Sequence, residues 1–347
     1  MMSKTVTIIG LGQMGSALAL VAANAGSTVK AVGTPQDREV VESLLRSGIH
    51  PNIKERFPDS VSFHFCEEWE ELAKESDFVI GAISSYGVDW FLEEILSRID
   101  PCKPVLSAAK GLFGEEDGSM ISYPEYWERA LAEKGVKRDI YALGGPGTAD
   151  EIRRGEHTHV VVCGRDASVL GMMKEALETS YFHISTTHDL HGLECAVALK
   201  NAYALGVAMA IGYANRLGEN ESHANMQANV FYQASREMML YLKAENASDE
   251  SVFIGMGDLY VTVTGARTRK LGILLGEGKT YEEASKILSG MTLESIVIVR
   301  RLALALKKKA GAGLVRIEDF PLLNFVSEVL ESGKMTDFPW KKFTFSV

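Results

Sequence analysis

Residues 4–26 read KTVTIIGLGQMGSALALVAANAG, and no other stretch restricts the fold as strongly. An apolar, β-branched run ends at Gly10. Glycine returns at Gly12 and Gly15, and an apolar helical pattern follows without proline. Two structures fit such a Gly-x-Gly-x-x-Gly junction. One is a plain chain reversal, and the other is a loop whose backbone touches a phosphate. The context favours the second: a strand before it, a helix after it, and a second strand candidate, Thr28–Val32, close behind. Gly10 permits the tight turn, Gly12 admits a pyrophosphate to the backbone, and Gly15 lets helix and strand pack closely. Gln13 and Met14 are the candidate cofactor contacts that follow, where the N-terminus of the helix offers N–H groups and a partial positive charge. The expected ligand is a dinucleotide, NAD or NADP.

The first half repeats this rhythm. Val6–Ile9, Thr28–Val32, Val61–Phe65, Asp77–Ile83, Val105–Ala108, Tyr141–Leu143, His159–Cys163 and Phe182–Ser185 read as strands. Helical patterns fall between them, at Met14–Ala25, Asp37–Ser47, Trp69–Lys74 and Trp90–Ile99. Alternation of this kind predicts a parallel, doubly wound α/β sheet of the Rossmann type. After Asp189 long helical patterns dominate. Glu194–Arg216 is apolar nearly all round, as the central helix of a helical domain should be. Met226–Lys243, Tyr281–Ser289, Leu293–Lys308 and Phe320–Leu330 continue the pattern. The predicted organisation is a dinucleotide-binding domain over 1–188 and a helical substrate-binding domain over 189–347. The 347 residues suit two cores better than one.

The net charge of −10 argues against nucleic acid or an anionic membrane as a main partner. Lys307–Lys309 reads as a solvated helix end. The four cysteines have neither zinc nor disulfide spacing and predict free thiols in a reducing compartment; no metal site is expected. The N-terminus runs straight into a strand, without a signal-peptide pattern. No uncharged apolar stretch of about 18 residues stands out as a membrane span. The cytoplasm follows by default.

The end of the second strand bears on the cofactor. An NAD site usually places an acid there, about 20 residues past the glycines, to bind the ribose 2′-OH. Here Gly33 and Thr34 hold that place, Asp37 comes a little late, and Arg38 can meet a 2′-phosphate or be a solvated helix residue. The pattern leans to NADP.

Carbonyl reduction also needs a proton donor. Lys200 lies in AVALKNAYALG, inside a helix too apolar to face water. Burial lowers the pKa of an amine, which suits a general acid near neutral pH; the alternative is a lysine that snorkels out to water. Asn201 is its neighbour. A second cluster is GMGDLYVTVTGARTRKLG, residues 255–272. Asp258 follows a Gly-x-Gly turn and either orients a lysine or substrate hydroxyl, or serves as a turn or helix cap. Arg267, Arg269 and Lys270 form a positive knot in an acidic chain. It is either a phosphate clamp or a solvated loop.

Together these segments resemble the NAD(P)-dependent glycerol-3-phosphate dehydrogenases over nearly the whole chain. IGLGQMGSALA looks like the family's cofactor loop, and SAAKGL matches its Ala-x-Lys-Gly-Leu signature, with Lys110 near nicotinamide and substrate. LGGPGTADEI resembles its Ser-Gly-Pro segment, which implies substrate contact at Gly145 and cofactor contact at Ala149. VALKNAYALG matches the segment of the catalytic lysine, so Lys200 inherits that role, with Asn201 beside the substrate. The resemblance makes Asp258 catalytic. It places Arg267 and Thr268 at the substrate phosphate, Arg267 also at the cofactor, and Glu294 of TLESI at the cofactor. It implies a homodimer.

The departures cluster at the substrate end. Gly145-Pro146-Gly147-Thr148 differs from the family's segment, Asp150 replaces a lysine, Ala266-Arg267-Thr268 replaces Ser-Arg-Asn, and His223 replaces a small residue. The expected reaction is reversible hydride transfer between NAD(P)H and dihydroxyacetone phosphate, giving glycerol 3-phosphate. The active site is expected between the domains, at the carboxyl ends of the strands. The alternatives are a related dehydrogenase of another hydroxy acid or sugar phosphate, and a non-catalytic dinucleotide-binding redox sensor.

Overall fold

The computed structural model describes residues 3–115, 118–217, 223–289, 293–335 and 337–344. The chain forms two compact units. One is Met1–Gly111 with Ser122–Leu190, and the other is Leu112–Ile121 with His191–Val347.

The strands in chain order are β1 (Thr5–Ile9), β2 (Thr28–Val32), β3 (Val61–His64), β4 (Phe78–Gly81), β5 (Val105–Ser107), β6 (Leu112–Gly114), β7 (Met120–Ser122), β8 (Ile140–Gly144), β9 (Thr158–Cys163) and β10 (Phe182–Thr187). The first unit contains helices α1 (Gln13–Asn24), α2 (Arg38–Ser47), α3 (Trp69–Lys74), α4 (Val88–Trp90), α5 (Tyr123–Glu133), α6 (Ala149–Arg153) and α7 (Ala167–Leu177). Its eight-stranded sheet has the order β10-β9-β8-β5-β4-β1-β2-β3. β1 lies between β2 and β4, where the strand order reverses, and the crevice at such a point is where α/β sheets take ligands. Val6, Ile8, Val29, Phe78, Ile80 and Leu106 are fully buried, as expected of strands covered on both faces.

The sheet departs from the all-parallel expectation at one pair. β8 and β9 run antiparallel, with Ala142 opposite Cys163. The link between them carries only the five-residue α6, a poor crossover helix. The predicted helix Trp90–Ile99 is a short α-helical turn, α4, that continues as a π-helix over Phe91–Leu96.

The second unit contains α8 (Leu190–Arg216), α9 (Ala224–Ala244), α10 (Asp249–Thr264), α11 (Ala266–Gly276), α12 (Tyr281–Ile287), α13 (Glu294–Gly311) and α14 (Pro321–Ser332). It also holds the β6–β7 hairpin, which the sequence reading places in the first domain. Leu112 and Met120 join the core of the helical unit. Arg301 of α13 donates to the Leu112 carbonyl and lies 5.4 Å over the Phe113 ring. By length and hydropathy α8 passes for a membrane span, although none was expected; 89% of its most apolar window is buried, as in a core helix. The Lys307–Lys309 run is not a uniformly solvated helix end. Lys309 is nearly buried and pairs with Glu245 at 2.9 Å.

Glu237 of α9 is a buried acid that no sequence pattern marked. It accepts hydrogen bonds from Gln233 (2.7 Å) and from the backbone N–H groups of Leu322 (2.7 Å) and Leu323 (2.9 Å), capping α14 from outside that helix. Burial pushes its pKa up to about 7 from 4.5, against those three donors and Arg236, which favour the charged form. The folded chain therefore holds a proton that the unfolded chain releases between these values, so this group's stabilisation is lost as pH rises from about 4.5 to 7. The span corresponds to about 3 kcal/mol. Glu237→Gln should gain stability relative to the native chain as pH rises from 5 to 7.5. Denaturant melts at several pH values test this; a difference that stays constant with pH would contradict it.

Candidate functional site

In the first unit the glycine loop is built as the sequence predicts. Gly10 has φ +110°, and a Cβ there would lie 2.5 Å from the Ala82 carbonyl oxygen. A Cβ on Gly15 would lie 1.9 Å from the Gly10 carbonyl oxygen. Gly12 differs: an added Cβ would meet nothing within 4 Å, because the residue borders a cleft of about 320 Å³. The cleft is also lined by Gly10, Thr34, Asp37, Ala82 and Tyr86. Gly12 is the N-cap of α1 and has no side chain with which to cap the first-turn N–H groups at Gln13 and Met14. A cradle without side chains at an uncapped helix start fits a dinucleotide pyrophosphate. Gly12→Ala should fold as the native chain does, yet weaken dinucleotide binding on the order of tenfold by displacing amide–phosphate bonds. Gly15→Ala should lower Tm. Paired thermal melts and dinucleotide titrations check both, and a Gly12→Ala chain with native affinity would refute the first.

Two residues hold this loop that sequence reasoning missed. The Asp37 carboxylate accepts from Thr34 N (2.9 Å), Thr34 Oγ1 (2.7 Å) and Leu11 N (3.2 Å). Its late position thus ties the β2–α2 turn to the glycine loop. Buried His50 donates from Nε2 to the Leu11 carbonyl (2.9 Å), and its Nδ1 accepts from Asn52 N (3.2 Å), which fixes the neutral Nε2–H tautomer. The Thr-x-x-Asp spacing is a legible turn signal for Asp37; nothing near His50 in the sequence points to Leu11.

Arg38 opens α2, largely exposed, with Phe65 beneath its guanidinium at 5.0 Å. Lys110 donates from Nζ to the Gly145 carbonyl at 3.0 Å. Gly145 has φ +117°, and Met14 lines the same small pocket as both. Ala149 is buried at the start of α6, where Thr148 accepts from Glu151 N at 3.3 Å. Asp150, in the place of the family's lysine, forms an ion pair with Arg153.

In the second unit Lys200 and Asp258 form a buried ion pair; their side chains are 11% and 1% exposed. Lys200 therefore neither snorkels freely to water nor sits alone in an apolar helix. Asp258 is not on a turn, as the Gly-Met-Gly sequence suggests, but in the middle of α10. The glycine serves helix packing. A Cβ on Gly255 would lie 2.8 Å from the Ala196 Cβ, so α10 approaches α8 one turn before each charged residue. Thr262, which the sequence reading passed over, donates from Oγ1 to the Asp258 main-chain carbonyl (2.7 Å). Asn201 is half-buried beside Lys200. Arg267 and Thr268 lie in the first turn of α11, whose N-cap, Gly265, makes no side-chain cap bond. Arg267 is exposed and makes no ion pair among the described residues. Arg269 instead donates to the Val263 carbonyl (3.4 Å). The Glu294 side chain lies outside the described residues. His223 caps α9 with φ +42°.

Comparison with known proteins agrees with this architecture. The family description "NAD-dependent glycerol-3-phosphate dehydrogenase N-terminus" matches residues 5–170, and the corresponding C-terminus description matches 189–338. The chain is 31% identical over 281 residues to the NADP(+)-dependent glycerol-3-phosphate dehydrogenase of Archaeoglobus fulgidus, covering 80% of this chain and 82% of that one. It is 31% identical over 301 residues to the NAD(P)+ enzyme of Carboxydothermus hydrogenoformans, covering 86% and 85%. The glycerol-3-phosphate dehydrogenase structure from Coxiella burnetii shares its fold with a TM-score of 0.75 at 19% identity, over 98% of both chains. Two matched family segments, in the order and extent of the two units' main parts, leave one assignment. The chain belongs to the NAD(P)-dependent glycerol-3-phosphate dehydrogenase family.

Proposed function

We propose that this chain reduces dihydroxyacetone phosphate to glycerol 3-phosphate and runs the reverse reaction. The observation that carries the reading is the buried Lys200–Asp258 pair. The bound dinucleotide supplies the hydride. Gly10, Gly12, Gln13, Met14 and Gly15 would hold its pyrophosphate, with Thr34 and Arg38 at the adenosine end and Ala149 and Glu294 as further cofactor contacts. Lys200 gives a proton to the substrate oxygen as negative charge develops there, and takes it back in the reverse direction. Asp258 keeps the ammonium in place and charged until transfer. Lys110, steadied by the Gly145 carbonyl, holds the substrate and polarises its carbonyl. Arg267 binds the phosphate, helped by the uncapped start of α11 and by Thr268. Asn201 supplies an amide for a substrate hydroxyl. The same reading makes the chain a cytoplasmic homodimer serving glycerophospholipid synthesis; its acidic charge and free thiols are consistent with the compartment.

The experiment is a comparison of dihydroxyacetone phosphate with unphosphorylated dihydroxyacetone. The native chain should prefer the phosphate ester. Arg267→Ala should raise KM for the ester about 10- to 100-fold with kcat nearly kept, the loss of a charge-assisted contact made in ground and transition states alike. Equal KM values for native and variant chains would remove Arg267 from the phosphate site.

A further inference from the structure

Beside the glycine-loop cleft, and sharing Thr34, Pro35 and Trp90 with it, lies a second cavity of about 440 Å³. Phe65, Trp69 and Trp90 supply aromatic walls, and Arg38, Glu67 and Arg98 supply charge. The π-helix brings Glu94 and, just past its end, Arg98 to the same cavity as Trp90.

The two arginines are not equivalent. Arg98 is held by Glu70 (2.7 Å) and Glu94 (3.4 Å) and lies 5.5 Å over Trp69. Arg38 directly follows Asp37, which lines the cleft. Its guanidinium lies 5.0 Å over the Phe65 ring, Glu42 of its own helix meets Nε at 3.5 Å, and Glu67 meets Nη1 at 3.3 Å. Only one of these two acids, Glu67, lines the cavity. The field there is negative enough that Glu67, Asp37 and Glu94 all add to the upward push that burial gives the Cys66 thiol.

A 2′-phosphate entering this place must share Arg38 with Glu67 and sit near its carboxylate. A ribose 2′-hydroxyl faces neither cost. We infer that Glu67 is a specificity-determining residue that tempers preference for NADP(H) over NAD(H) by competing for the Arg38 guanidinium. The inference rests on the dinucleotide reading of the glycine loop. Such a balance would let a chain without an acid at the end of β2 accept both cofactors: Arg38 rewards the phosphate, and Glu67 offsets the reward.

The test is binding without ketone. Kd values for NADPH and NADH are read from quenching of protein fluorescence in the native chain, Glu67→Gln and Arg38→Ala. Both positions are exposed, so folding should be unaffected. Glu67→Gln should tighten NADPH about three- to tenfold and leave NADH within twofold. Arg38→Ala should weaken NADPH about tenfold or more, and by several-fold more than it weakens NADH. In the double variant the gain from Glu67→Gln should vanish. Equal shifts for the two dinucleotides, no shift in Glu67→Gln, or an unchanged gain in the double variant would overturn the role of Glu67 while leaving the cofactor reading intact. Failure of the native chain to bind either dinucleotide would overturn the cofactor reading, and this inference with it.

Discussion

Lys200→Ala should cut kcat for dihydroxyacetone phosphate reduction by about 10²- to 10⁴-fold, the usual contribution of a positioned proton donor. Dinucleotide affinity should stay within a few-fold, because every glycine-loop contact belongs to other residues. The pH profile should change as well: a rate limited by Lys200 loses its dependence on that group once the side chain is gone. Lys200→Arg keeps a charge against Asp258 but gives up protons poorly, so it should restore stability more than turnover. Turnover of Lys200→Ala near the native value would mean that another group supplies the proton.

Asp258→Ala should be strongly destabilising. It leaves the Lys200 ammonium, 11% exposed, without its carboxylate. Removing one partner of a buried pair costs about 3–5 kcal/mol. Turnover should fall with it, since the donor loses the group that orients it. The double variant Lys200→Met/Asp258→Leu separates the two effects. Replacing both charges with apolar groups of similar volume is often close to neutral for stability. The double variant should therefore regain most of the stability lost in Asp258→Ala while remaining inactive. Denaturant melts beside steady-state rates read both quantities. A double variant as unstable as the single one would show that the pair is not the source of the cost.

The parts of this account that the sequence carried are the local ones. The strand, glycine loop and α1 lie within one short segment, and each glycine has a reason that its neighbours supply: the turn at Gly10, the open cradle at Gly12, the contact with the Gly10 carbonyl at Gly15. Lys200 was legible because a lysine in an apolar helix needs an explanation. Its partner was legible as a residue and misread as a structure. Gly-Met-Gly looks like a turn, but Gly255 is there because α8 passes too close for a side chain. That fact depends on a helix nearly sixty residues earlier. The hold of Asp37 and His50 on Leu11 is likewise a tertiary fact, with donors and acceptors brought together from three segments. The β6–β7 hairpin has three-residue strands, too short for a period, and its place in the helical unit is set by α13, with Arg301 reaching back 189 residues to Leu112. The reversed direction of β9 left no mark in its apolar pattern, since a strand buried on both faces reads alike in either direction.

The most direct measurement of the proposed reaction is consumption of reduced cofactor with dihydroxyacetone phosphate, run in parallel with NADH and NADPH. Turnover should require the ketone phosphate, proceed with both cofactors and yield glycerol 3-phosphate. Tight binding of either cofactor without turnover of dihydroxyacetone phosphate would contradict the proposed reaction. That result would mean that the altered Gly145–Thr148 and Ala266–Thr268 segments have turned the site to another substrate.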